Sequence, residues 1–215
     1  NAMKMVSAAK LKRAQDAITT MRPYSEKLTE LLQDLSASLK GDSGSAFAEQ
    51  REVEKVLVLV VTSNRGLAGA FNANAIKAAA NLATSQYAGK QVDYITIGKK
   101  GNDILSKSSS VILNENDLVE NPNYEAVSTL ADTLMQYFVD KTYDRIDLVY
   151  NSFRNAATQV VQTEQFLPIE NVEETEEVDT TEVDYIYEPS KEEIVAQLIP
   201  KSLKTQLLKA IRDSI

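Results

Sequence analysis

From Met3 to Leu39 apolar residues recur at Leu11, Ala14, Ile18, Met21, Tyr24, Leu28, Leu31, Leu35 and Leu39, in steps of three and four. That spacing predicts one long helix carrying the narrow seam of a coiled coil rather than the wider stripe of a globular helix. The small residues Ala8, Ala9, Ala14 and Ala17 would let a second helix approach closely. Pro23 predicts a bend or local opening, because proline lacks a main-chain donor and crowds the preceding turn. Gly41–Ser45 then reads as a break. A related pattern closes the chain. Ser190 followed by Glu193 is a capping box and predicts a helix start. Ile194, Leu198, Leu203, Leu207, Ile211 and Ile215 continue that helix, mostly in steps of four, with Pro200 inside it. Both terminal helices lack caps or stop signals at the chain ends, so each reads as cut in mid-course.

Between these helices the period changes. Val56–Thr62 and Val92–Ile97 read as strands, as do Ile146–Ser152 and Thr158–Gln165, with Asp184–Tyr187 a short edge strand. Helices are expected over Ala70–Tyr87, Lys99–Lys107 and Tyr124–Lys141. Strands separated by helices predict a parallel sheet with helices on its faces, and the short link before Thr158 predicts a hairpin at one side. The expected fold class is α/β. A Rossmann-like, mostly parallel sheet domain (50–189) is inserted between two long terminal helices (1–45 and 190–215) that form an antiparallel coiled coil.

Composition narrows the chemistry. At 215 residues and 43% hydrophobic, the chain can bury one ordinary core and carry extensions. A net charge of -8 argues against a general nucleic-acid binder. There is no cysteine and no histidine, which removes disulfides, thiolate metal sites and the commonest general base. No apolar run approaches the roughly 18 residues that would span a bilayer. Charge is also uneven. The opening helix carries Lys4, Lys10, Lys12, Arg13, Arg22 and Lys27, whereas residues 170–184 gather eight acids with no base. That acidic span reads as a solvated loop, since the glycine of a calcium loop is missing. No metal site is expected.

The stretch that most resembles a ligand site follows the first strand. Asn64, Gly66 and Gly69 occupy the three positions of a G-x-G-x-x-G turn between strand and helix, and asparagine tolerates a left-handed backbone. The acidic ribose partner is absent from the end of the second strand, where Gly98-Lys99-Lys100-Gly101 stands instead. The P-loop spacing fails too, and Ala70 stands where its lysine would be. Two readings stay open on the pattern: a dinucleotide-binding enzyme domain, or glycines that only permit a tight turn. Ser63, Ser152 and Lys99 have no histidine to activate them.

"AMKMVSAAKLKRAQ" from Ala2, "RPY" at Arg22–Tyr24, "TSNRGLAGAFN" at Thr62–Asn72, "FLP" at Phe166–Pro168 and "YEP" at Tyr187–Pro189 occur in this order. Together they closely resemble the gamma subunit of the bacterial-type rotary ATP synthase over essentially the whole chain. The resemblance implies a central stalk at the cytoplasmic face of the bacterial membrane, peripheral and without a span of its own. Its partners would be the catalytic alpha and beta subunits, the epsilon subunit and the membrane rotor ring. It would couple proton flow to conformational change at its partners' nucleotide sites, holding no cofactor and catalysing nothing itself. The coiled-coil seam would comprise Leu11, Ala14, Ile18, Met21, Leu28, Leu31, Leu35, Leu198, Leu203, Leu207 and Ile211, and Asn64, Gly66 and Gly69 would be a structural turn.

Overall fold

The computed structural model describes residues 2–38, 46–170 and 191–215. The side chain of Leu35, Leu39, the Gly41–Ser45 break, the acidic span from residue 171, the strand expected at Asp184–Tyr187 and the capping Ser190 lie outside the described residues. The elements are α1 (Ala2–Ser38), a 3-10 turn (Ala46–Ala48), β1 (Lys55–Val61), α2 (Phe71–Thr84), β2 (Gln91–Ile97) and α3 (Lys99–Leu105). After them come β3 (Ser110–Glu115), α4 (Asp117–Glu120), α5 (Tyr124–Val139), β4 (Arg145–Asn155), β5 (Thr158–Leu167) and α6 (Lys191–Asp213). The strands form one sheet in the order β3-β2-β1-β4-β5. The first four are parallel, and β5 returns antiparallel along β4 as a hairpin.

The central strand explains its own sequence. Val56–Val61 are at most 1% exposed, because helices cover both faces of β1. Leu57, Leu59 and Val61 pack in one core with α5 and α6, while Val56, Val58 and Val60 pack with α2 and Leu105 of α3. A strand buried on both sides needs an unbroken apolar run, not an alternating one. At the sheet's edge the demand relaxes. β3 was not among the expected elements: it pairs only with β2, and its register skips Ile112, which stays 42% exposed. A half-exposed, bulged edge strand leaves little apolar pattern to read. The four-residue α4 is too short to show a period at all.

α6 lies between the sheet and α1. Its Leu203, Leu207, Leu208, Ala210 and Ile211 belong to the same core as Leu57, Ile146 and Leu148, and so does Met21 of α1. Apolar packing therefore runs without a break across the sequence boundaries near residues 50 and 190. The helices are antiparallel: Arg22 meets Asp213 at the end of α6, α1 is buried beyond that point at Leu28, and its residues 2–13 are exposed.

Along α1 Ala14, Ile18, Met21, Ser25, Leu28 and Leu32 turn inward in alternating steps of four and three, with Gln15, Ala17 and Arg22 half-buried beside them. Leu11, Tyr24 and Leu31 are 38%, 48% and 41% exposed. Tyr24 and Leu31 each sit one residue before a half-buried position, Ser25 and Leu32, which on a helix is a rotation of about 100° away from the partner. Both prolines lie within helices that continue past them. Pro23 is on the solvent side, where water can satisfy the carbonyl it leaves unpaired.

Candidate functional site

The turn after β1 is tied inward by its own side chains. Asn64 accepts from Lys99 N at 2.9 Å and donates to Asn116 O at 3.0 Å, joining three loops at the carboxyl ends of the strands. Thr62 Oγ1 accepts from Gly101 N at 2.9 Å, and Ser63 O from Lys100 N at 3.1 Å. Asn72, in the first turn of α2, accepts from Ser63 N at 2.8 Å. The first three N–H groups of α3 therefore all point at protein acceptors rather than at open space. Left-handed backbone in the turn falls on Leu67 (φ 60°) and Gly69 (φ 56°); Asn64 acts through its side chain. Gly66 is not left-handed, and a Cβ there would meet only Lys100 Cε at 3.7 Å. The demanding glycine is Gly98, with φ 100° and only 2.1 Å from its hypothetical Cβ to Thr62 O. The sequence showed Gly98 next to two lysines but gave no sign of how close β1 and β2 run there.

In open α/β sheets ligands enter at the switch point, outside the carboxyl ends of the strands where the order reverses. Here that point lies between β1 and β4, and the protein fills it. β4 runs past Val149, its last residue paired with β1, and Asn151 beyond it donates its main-chain N–H to Ser214 Oγ at 2.9 Å. The Ser214 hydroxyl donates back to Asn151 O at 3.1 Å, and Asn151 Nδ2 donates to Phe71 O at 3.2 Å. Asn151 is 2% exposed and Ser214 7%. The residue that follows α6 is thus bonded to β4 beside the switch point.

One residue earlier, the Asp213 carboxylate sits 2.6 Å from Arg22 Nη2, with its side chain 1% exposed. It also accepts from Ser152 Oγ at 3.2 Å and Phe153 N at 3.3 Å, while Arg22 donates to Phe153 O at 2.8 Å. Arg212 reaches Pro122 O ahead of α5 at 3.4 Å. Neither Asp213 nor Ser214 was singled out by the sequence pattern; both sit among apolar residues at the end of α6.

A second polar set closes the amino ends of the strands. Tyr87 donates to Asp147, which pairs with Arg145 at 3.0 Å, and Tyr143 donates to Asp93 at 2.9 Å. Burial first, then these carboxylates, pushes both phenols well above their ordinary range. Asp144 accepts from the N–H groups of Glu54 and Lys55, each at 3.0 Å, and pairs with Arg51 at 3.2 Å. Burial raises its carboxyl, but the two backbone donors and Arg51 outweigh that and hold it below the usual carboxylate range. Among the described residues no group of three or more carboxylates converges as a metal site.

A Rossmann-like sheet whose ligand crevice is plugged by its own terminal helix, with that helix also paired to a long outlying one, is a scaffold bearing a shaft. The chain belongs to the ATP synthase gamma chain family. A family model described as ATP synthase matches residues 1–215. The ATP synthase gamma chain of Flavobacterium psychrophilum is 62% identical over 214 residues, covering 100% of this chain and 74% of that one. The gamma chain of Cytophaga hutchinsonii is 48% identical over 219 residues, covering 99% and 74%. Among solved structures, the central stalk and c-ring of Tetrahymena thermophila mitochondrial ATP synthase matches with a TM-score of 0.67 at 21% identity, covering 99% of this chain and 91% of that one.

Proposed function

We propose that this chain is the central-stalk rotor of a proton-translocating ATP synthase, coupling rotation to conformational change in catalytic alpha and beta subunits while doing no chemistry itself. One observation carries the reading. α6 belongs both to the core of the sheet domain and to the seam with α1, so a twist applied to the domain reaches the helix pair through packed side chains. The exposed end of α1 is the part offered to the ring. It presents Met3, 86% exposed, and Met5, 73% exposed, beside Lys4, Lys10, Lys12 and Arg13. The sheet domain would face the epsilon subunit and the membrane rotor ring, placing the subunit at the cytoplasmic face of a bacterial membrane. Among the described residues no helix is long and apolar enough to cross a membrane. The alternative, a dinucleotide enzyme using the Asn64–Gly69 turn, is opposed by the filled switch point and by the engaged N–H groups of α3.

A chimera tests the reading. Residues 1–215 replace the matching part of the Flavobacterium psychrophilum gamma chain, and the complex is assembled with that bacterium's other subunits in vesicles. The expected outcome is ATP-driven proton pumping at a ratio to hydrolysis comparable with the parent. Assembled complexes that hydrolyse ATP without pumping would overturn it, as would a micromolar nucleotide site in the isolated chain found by calorimetry.

A further inference from the structure

We propose that Arg22, Asp213 and the main chain of Phe153 form a torsional lock that fixes the angle between the helical shaft and the sheet domain. The proposal rests on the central-stalk reading and names positioning residues for it. The buried side chains of α1 are the apolar Ile18, Met21 and Leu28, and Met21 shares a core with Leu207 and Ile211 of α6. Apolar attraction has no direction of its own, so such a seam resists turning only through the fit of its side chains. A buried carboxylate behaves differently, because any displacement that removes its donors leaves a charge without partners in a dry site. Asp213 has three donors from two other elements: Arg22 of α1, and Ser152 and Phe153 of β4. Arg22 closes the loop by donating to Phe153 O at 2.8 Å. Three elements thus meet at one carboxylate.

The position of this junction decides its role. It lies at the end of α6, next to the Asn151–Ser214 plug, where β4 has already outrun β1. On α1 the residues on the far side, 2–13, are exposed. A torque passing along α1 from that end meets the apolar positions Ala14, Ile18 and Met21 and then this charged one. Both bonds leave Nη2 of Arg22, whose two N–H donors are held in the guanidinium plane, whereas the donors of an ammonium rotate freely.

The test uses the chimeric subunit assembled with its partners, comparing wild type, Asp213→Asn and Arg22→Lys. Protons pumped per ATP hydrolysed are measured per assembled complex, together with the angular fluctuation of a bead fixed to the stalk. Asparagine keeps the size of the side chain and its hydrogen bonds to Ser152 and Phe153 but removes the charge. The expected result is a severalfold loss of pumping per ATP and a wider bead fluctuation, with hydrolysis retained. Lysine at position 22 should give an intermediate loss. A purely structural role would lower the amount of complex and leave the ratio unchanged, and that result overturns the lock. Normal coupling in Asp213→Asn complexes, alongside normal coupling in the wild type, overturns the lock alone. A wild-type chimera that assembles but never couples overturns the stalk reading, and the lock with it.

Discussion

Gly98 and Gly66 make the sharpest pair of single positions. A methyl group at Gly98 would stand 2.1 Å from Thr62 O in a backbone already at φ 100°, so it meets both overlap and strain. Each of these costs about 1–3 kcal/mol when forced on a folded chain. At Gly66 the same methyl would only touch Lys100 Cε at 3.7 Å. We expect Gly98→Ala to destabilise the chain by about 3 kcal/mol or more and Gly66→Ala by less than about 0.5 kcal/mol. Urea unfolding of the two variants measures the difference, and equal midpoints would remove the case for Gly98. Asp144 offers a second single-residue test. Its carboxyl is held low in the folded chain by the Glu54 and Lys55 N–H groups and Arg51. A depressed carboxyl contributes stability that is present above its unfolded value of about 3.9 and is lost as pH falls through the folded value. The stability gap between wild type and Asp144→Asn should therefore be full near neutrality and narrow in acid below about pH 4. A gap that holds constant down to the folded value would mean that ionisation is irrelevant there.

Elements differed in how plainly they could be read. β1 was legible because burial on both faces forces six consecutive apolar residues, Val56–Val61, to be nearly inaccessible. α5 was legible too, since its buried positions Val127, Leu130, Ala131, Leu134 and Phe138 follow a helical period and Asn123 caps its first turn. β3 was not, because an edge strand paired on one side spends few apolar residues. The seam of α1 could be placed on the helix but not fully phased: only the position of α6 shows that Ser25 and Leu32, rather than Tyr24 and Leu31, face inward. In the same way the glycine turn could be found without its meaning. Asn64 and Thr62 lie close together in sequence, but their partners Asn116, Lys99 and Gly101 lie 35 to 52 positions away. The plug at Asn151 joins residues 63 positions apart, which no local pattern announces.

Taken as one body, the chain has a core that runs from Met21 through α6 to Leu57 and Leu148. We expect the helices and this face of the sheet to unfold together. Leu207→Ala, at a residue 0% exposed, should cost about 2–5 kcal/mol. It should lower helical signal and the hydrogen-exchange protection of β1 in a single transition. Two well-separated transitions would show that the shaft and the sheet are independent units. The shared helix has a further consequence, in the order of synthesis. α1 is translated before every strand and α6 after them, so the two halves of the seam are separated by the synthesis of the whole sheet. Until α6 emerges, part of the sheet face lined by Ile146, Leu148 and Tyr150 has no cover, and α1 has no partner. Such exposed apolar surface on a nascent chain is what invites misassembly and draws chaperones. For this fold the vulnerable interval runs from the synthesis of β4 to that of α6, and the step that ends it also brings Ser214 onto Asn151 of β4.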